Sequence, residues 1–221
     1  MYIVVEGHTE REVVNGILKP HFSPMGVYLF TVLVKTAPGY HGGGNLWSKW
    51  EKDIRRLLKQ HKRSNVRVTT MFDLFRLPNG FPGIQEHGLI TDTAERCHAL
   101  ERAMAEVFDD LRFIPYLQRH EIEALVLASL DYLGELFDAP DDRRGVQMLK
   151  EEIGDLPPEE VNDSPETAPS RRLERHIPGY RKALHGPLAI EAAGLQHVRE
   201  KCPRFDQWVK KLERLAEEGE W

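Results

Sequence analysis

Short apolar runs that end in a carboxylate constrain this chain more than any other feature. "YIVVEG", residues 2 to 7, carries Ile3, Val4 and Val5 straight into Glu6, and "VTTMFD", residues 68 to 73, ends in Asp73. Runs this short, rich in β-branched residues and bounded by turn chemistry, read as buried strands. Between them the apolar residues change period. Trp47, Trp50, Ile54, Leu57 and Leu58 form one stripe of a helix predicted over 47–62. A helix is also expected from about Thr9 to Leu18, with Thr9 and Glu12 as a capping box and a stop before Pro20. Further strands are expected at 27–34, 66–72 and 113–117, the last irregular or at an edge because of Pro115. Helices are expected at 91–108, capped by Thr91 or Asp92, and at 121–130. Alternating strands and helices predict an α/β fold with a mainly parallel sheet flanked by helices.

The alternation ends near residue 138, so residues 1–138 are expected to form the α/β domain. Beyond the polar, proline-rich "LPPEEVNDSPETAPS", 156 to 170, short helices follow without a clear strand. Residues 139–221 are therefore expected to be a helical C-terminal region, packed on the active edge of the sheet or capping it. The 221 residues, 41% of them hydrophobic, suit one large domain or one domain with an appendage. Cys97 and Cys202 are the only cysteines, which excludes a disulfide framework or a Cys-rich zinc site and fits a reducing cytosol. No apolar stretch approaches the ~20 residues needed to span a bilayer, and no signal-peptide pattern opens the chain. A cytoplasmic protein without membrane contact is expected. The net charge of −5 excludes a globally basic nucleic-acid binder but leaves room for a local basic groove.

Parallel strands point one way, so their C-terminal ends share an edge, and ligands of open α/β sheets bind there. Glu6 ends the first strand, Asp73 the third, and Glu121 and Glu123 of "RHEIEA" follow the fourth. Gathered carboxylates repel one another and raise each other's pKa, and a divalent cation relieves that cost. Mg²⁺ in particular is held by a few carboxylates plus phosphate and water. The pattern thus points to metal-dependent phosphoryl chemistry. Each acid also has a plainer account. Asp73 could open a turn, and Glu10 could be a first-turn acid favoured by the helix dipole. Residues two apart on a helix point to nearly opposite sides, so one of Glu121 and Glu123 is expected to face the edge. His120 is expected beside the site as a hydrogen-bonding partner.

These residues carry a resemblance to a known family. "VVEGHTER" resembles the first motif of Toprim domains, and "VTTMFDLF" is similar to their second acidic motif. "LQRHEIEALVLA" resembles the His-Glu-x-Glu-Ala motif of a compact Toprim-like group related to the overcoming-lysogenization-defect nucleases. The tail, "PSRRLERHIPGYRKALHGPLAIEAAGL" followed by "CPRFDQWVKKLERL", is similar to the same group, so the resemblance spans nearly the whole chain. It implies a Toprim-like, Rossmann-like sheet and Mg²⁺- or Mn²⁺-dependent cleavage of DNA or RNA phosphodiesters. It further suggests a role in bacterial anti-phage defence beside an ATPase partner. Glu6 matches the first-motif glutamate, Glu10 the acid four residues on, and Asp73 the leading aspartate of the second motif. Many Toprim domains place a second aspartate two residues later; here that position is Phe75. A two-metal arrangement would then need Glu121 or Glu123 as a replacement ligand.

The expected site is therefore Glu6, Asp73 and one of Glu121 or Glu123 on the metal. Glu6 could alternatively serve as general acid or base, and Glu10 and His120 support the cluster. Lys182 is the candidate phosphate-contacting or catalytic lysine. Arg171, Arg172, Arg175 and Arg181, in a stretch with one acid, Glu174, are candidate nucleic-acid contacts or a solvated helix face. The basic stretch Arg55 to Arg63 reads as an outer helix face, and Gly42–Gly44 as a loop without P-loop chemistry. Phe205 and Trp208, three apart, read as one core-facing helix stripe, although they and Trp221 could stack bases. The tail helices could form a homodimer surface. Competing readings are a non-catalytic Toprim-like sensor or partner module and a hydrolase of a small phosphorylated ligand.

Overall fold

The computed structural model describes residues 1–34, 46–62, 65–162 and 164–217. Strand β1, Tyr2–Val5, lies inside the sheet, with β2, Phe30–Leu33, on one side and β3, Val68–Asp73, on the other, both parallel to it. Strands β2 and β3 close both edges of β1 and helices cover both faces of the sheet, which is why Ile3, Val4 and Val5 are all apolar and fully buried. Strand β3 also pairs in parallel with β4, Phe113–Ile114, and further along with β5, Leu117–Gln118. The order is β2-β1-β3-β4, with β5 continuing the β4 edge.

The strand expected over 113–117 is split at Pro115 and Tyr116. Proline has no N–H to give a ladder, and the Thr70 side chain fills the break. Its hydroxyl accepts the Tyr116 N–H and donates to the Tyr116 carbonyl, both at 2.8 Å. β2 begins later than expected, at Phe30, and as an edge strand it is only partly buried.

The first helix differs from expectation at both ends. Helix α1, His8–Val13, runs through a π-helical stretch, Val14–Leu18, into α2, Lys19–Phe22. Pro20 lies in the first turn of α2, where the helix returns from π to α spacing and a missing N–H is tolerated. There is no capping box: Gly7 is the N-cap, without a side-chain cap bond, and Thr9 is buried within the helix. Helix α3, Trp47–Gln60, buries the expected stripe. After α4, Ile84–His87, helix α5, Thr93–Phe108, is capped by Asp92, which accepts from Ala94 N–H and Glu95 N–H. Then come α6, Glu123–Ala128; α7, Leu130–Glu135; α8, Pro140–Ile153; α9, Pro169–His176; α10, Lys182–Ala193; α11, Leu195–Lys201; and α12, Pro203–Glu217.

The sheet has an apolar layer on each face, as alternation along its strands requires. Val4, Val68 and Phe72 pack with Trp47, Trp50, Ile54, Leu100 and Met104 of α3 and α5. Ile3, Val5 and Met71 belong to the opposite cluster with Val13, Leu125, Ile190, Phe205 and Val209. Helices beyond residue 138 thus supply part of one face of the sheet. The Trp208 indole N–H donates to Thr69 at 3.0 Å, and its ring stacks on Tyr116 at 4.4 Å. Phe205 and Trp208 are core residues. Trp221, Gly42–Gly44 and Arg63 lie outside the described residues. Among the described residues no helix is long and apolar enough to cross a membrane.

Candidate functional site

The parallel ladder aligns Val5 with Met71, so Glu6 and Asp73 leave the sheet at the same edge. The Asp73 N–H donates to Glu6 Oε1 at 2.7 Å. The Asp73 carboxylate in turn accepts the Ile122 N–H at 2.8 Å, which ties the end of β3 to the start of α6. Between β5 and α6, His120 has a left-handed backbone, φ 63°, at a cost of about 1 kcal/mol for a residue with a Cβ. That turn lets its carbonyl accept the Phe75 N–H at 3.0 Å.

Glu123, in the first turn of α6, has no solvent exposure. Its Oε1 lies 2.7 Å from Nζ of Lys182, the first residue of α10. Its Oε2 is buried without a hydrogen-bond partner among the described residues. Glu10 is buried within α1. A Cβ on Gly7 would stand 3.0 Å from Glu10 Oε2, so Gly7 makes room for this carboxylate; its φ of −147° is ordinary extended backbone.

Crowding these acids has a clear electrostatic consequence. Burial pushes Glu6 from an ordinary 4.5 up to about 8; the Asp73 N–H opposes this, and Glu10 adds to it. Asp73 is raised well above the usual carboxylate range by burial, then by Glu6, Glu10 and Glu123. Burial also raises Glu123, against the pull of Lys182. Burial alone would lower Lys182, but Glu123 and then Asp73 outweigh it and hold the ammonium above its ordinary value. Lys182 is thus a fixed positive charge rather than a base.

The donor set suits a hard divalent cation, since every candidate ligand is a carboxylate. The orphaned Glu123 oxygen is the observation that fits an ion most directly, because a buried acceptor without a partner is costly. Glu6, Asp73 and Glu123 could hold it, with Glu10 beside them. Among the described residues, no group of three or more His, Cys, Asp or Glu side chains already stands in position to hold an ion. In this arrangement Glu6 and Asp73 accept backbone N–H groups and Glu123 faces Lys182.

The sequence matches the family described as domain of unknown function (DUF4276) over residues 5–213. The chain belongs to that family. Among solved structures it is similar to the C-terminal region of the Burkholderia pseudomallei OLD protein, at 14% identity over 97% of each chain, with a TM-score of 0.47. No curated protein matches it.

The remaining candidates lie apart from this cluster. Glu121 is buried but turned toward α9: it accepts the Ser170 N–H at 3.0 Å and faces Arg76 at 4.0 Å. His120 turns to Asn162, whose Nδ2 lies 3.1 Å from its Nδ1; burial, then Arg119 and Arg96, lower its pKa to about 4. Arg172 is buried, bonded to Glu152 and the Thr167 carbonyl, so it serves the fold rather than a phosphate. Arg175 and His176 also pair with Glu152, and exposed Arg171 pairs with Glu174. The Arg181 N–H donates to His185 Nδ1 and caps the start of α10.

Two neighbours of the site were not anticipated. Arg76, three residues after Asp73, acts on Glu6 and Glu121; its spacing from "FD" was the available signal. The Tyr180 hydroxyl is buried without a hydrogen-bond partner among the described residues. Its pKa is raised by burial and then by Glu123. Nothing in the local sequence marks it.

Proposed function

We propose that this chain is a Toprim-type, Mg²⁺- or Mn²⁺-dependent nuclease acting on nucleic-acid phosphodiesters. The observation that carries this reading is the gathering of Glu6, Asp73 and Glu123 around Lys182. Residues 6, 73, 123 and 182 come from four separate stretches of chain that meet at one sheet edge. Glu6, Asp73 and Glu123 would hold the cation. When bound, it would neutralise the carboxylates, polarise a phosphate and make a water easier to deprotonate. Lys182 places a permanent positive charge where a phosphate gains negative charge during cleavage. Alternatively, with Asp73 and Glu123 holding the cation, Glu6 can take or return a proton at the attacking water or the leaving oxygen. Arg171, Arg175 and Arg181 are the arginines offered to a nucleic-acid backbone. An ATPase partner and a place in anti-phage defence belong to the same proposal through the family resemblance.

A second reading, a non-catalytic Toprim-like module, is favoured by Phe75 at the position of the second aspartate and by the absence of a ready-made ligand group among the described residues. Incubation with DNA and RNA oligonucleotides and Mg²⁺ or Mn²⁺ separates the two. The nuclease reading expects cleavage that chelation stops and Glu6→Gln abolishes. Absence of cleavage, or cleavage that survives Glu6→Gln, would overturn it.

A further inference from the structure

Next to the carboxylate cluster, on the side of Phe75 and His120, lies a cavity of about 410 Å³. This is within the ~300–1,000 Å³ common for small-ligand sites. Its lining holds three buried polar atoms without a hydrogen-bond partner among the described residues, Arg96 Nε, His120 Nε2 and Asn162 Oδ1. Arg96 spends Nη1 on the Gly88 carbonyl at 3.1 Å, while its Nε has no hydrogen-bond partner among the described residues. His120, only 3% exposed, lines the cavity, and its Nε2 is likewise without a partner. Asn162 Nδ2 lies 3.1 Å from His120 Nδ1, and the His120 ring also meets the Glu159 backbone. Thr93 Oγ1 accepts from Arg119 Nε at 2.6 Å, which leaves the Thr93 hydroxyl proton to be donated.

Two donor side chains, the Arg96 guanidinium and the Thr93 hydroxyl, therefore line one space. The nearby acids are committed elsewhere. Asp92 caps α5, Glu160 pairs with Arg119, and Glu121 accepts the Ser170 N–H. The cavity is thus built for an anion. A second part of its lining is apolar: Leu74 and Phe75, with Phe75 39% exposed. An aromatic face beside a phosphate-type pocket is the combination that holds a nucleotide, base against ring and phosphate against donors.

We infer that this cavity is a nucleotide subsite, in which Arg96 and Thr93 bind a strand phosphate and Phe75 stacks its base. This rests on the nuclease reading for the identity of the strand, since the cavity adjoins Asp73 and Glu121 through the chain. It also gives the departure at Phe75 a chemical role. The position that carries a carboxylate in many Toprim domains here carries a surface for substrate.

Calorimetric titration with adenosine 5′-monophosphate in EDTA tests the cavity without involving metal or cleavage. Binding is expected, weakened about tenfold or more by Arg96→Ala and about fivefold by Phe75→Ala. Adenosine alone should bind more weakly than the monophosphate, and a trinucleotide more tightly. Should Arg96→Ala fail to fold by circular dichroism, partly exposed Phe75 carries the test. No binding to the wild-type chain, or binding that survives either substitution, overturns the inference. Exclusion of the trinucleotide while the mononucleotide binds overturns the strand assignment. These titrations stand whether or not the chain cleaves nucleic acid, so failure of the nuclease reading and failure of the subsite are read separately.

Discussion

Glu123 and Lys182 divide the work at the centre of the cluster: one holds a buried negative charge, the other keeps it company from α10. Replacing Lys182 with alanine removes the only side-chain cation within 4 Å of Glu123 among the described residues. Under the nuclease reading, Lys182→Ala should lower the cleavage rate about 10²–10³-fold, the range for removing one preorganised electrostatic group. Steady-state cleavage of a labelled oligonucleotide checks this; a change below about tenfold would remove Lys182 from the mechanism.

Glu6 makes a separate prediction about pH. Its folded pKa of about 8 lies above its ordinary 4.5, so between those values the folded chain binds more protons than the unfolded one. Stability of the metal-free protein should therefore fall as pH rises from 4.5 toward 8, then level off as far as Glu6 is concerned. Because Glu6 and Asp73 interact closely, the pair titrates jointly. His120 acts in the opposite sense. Its pKa drops from 6.5 to about 4, so its stabilising contribution is lost as pH falls through that window. Between pH 4.5 and 6.5 the two groups oppose each other, so their sum in EDTA should show as a fall in melting temperature mainly between about pH 6.5 and 8. Glu6→Gln should reduce that fall and unmask the loss of stability from His120 as pH drops below about 6.5. Since metal must displace protons here, added Mg²⁺ should raise the melting temperature more at pH 8 than at pH 6.

At the scale of elements, the sequence was most informative where one residue type had one physical meaning. The buried runs at β1 and β3, the Trp47 stripe and the Asp92 cap could be read because burial on both faces or on one stripe leaves a simple pattern. The split of β4 from β5 was only half legible: Pro115 announced irregularity, but the repair by Thr70 is a contact across strands. The helix through Pro20 was missed because π-helical spacing relaxes the rule that a proline ends a helix. For the site, the acids at strand ends could be found from topology. Which of Glu121 and Glu123 faces Lys182 could not, since that depends on where α6 begins, and His120's left-handed turn sets that. Helix packing supplies another test. A Cβ on Gly145 in α8 would lie 1.9 Å from the His176 carbonyl oxygen at the end of α9. Gly145→Ala should cost about 1–3 kcal/mol or more, a loss of roughly 2–4 °C per kcal/mol for a chain of this size. An unchanged melting temperature would mean that α8 and α9 do not approach this closely.

Across the whole molecule, the helical half completes the α/β half. Phe205, Trp208, Val209 and Leu212 of α12 share a cluster with Ile3 and Val5, and Lys182 of α10 reaches Glu123. A fragment ending at residue 138 would bare part of one face of the sheet and lose Lys182. It is expected to lack a cooperative melting transition by circular dichroism, whereas a sharply melting fragment would mark residues 1–138 as an independent domain.

The central claim is that a divalent cation belongs among Glu6, Asp73 and Glu123, and anomalous diffraction from crystals soaked in Mn²⁺ tests it most directly. The account predicts a Mn²⁺ peak bounded by those three carboxylates, lost in Asp73→Asn. A wild-type crystal with no peak there, or with Mn²⁺ bound only elsewhere, would contradict it.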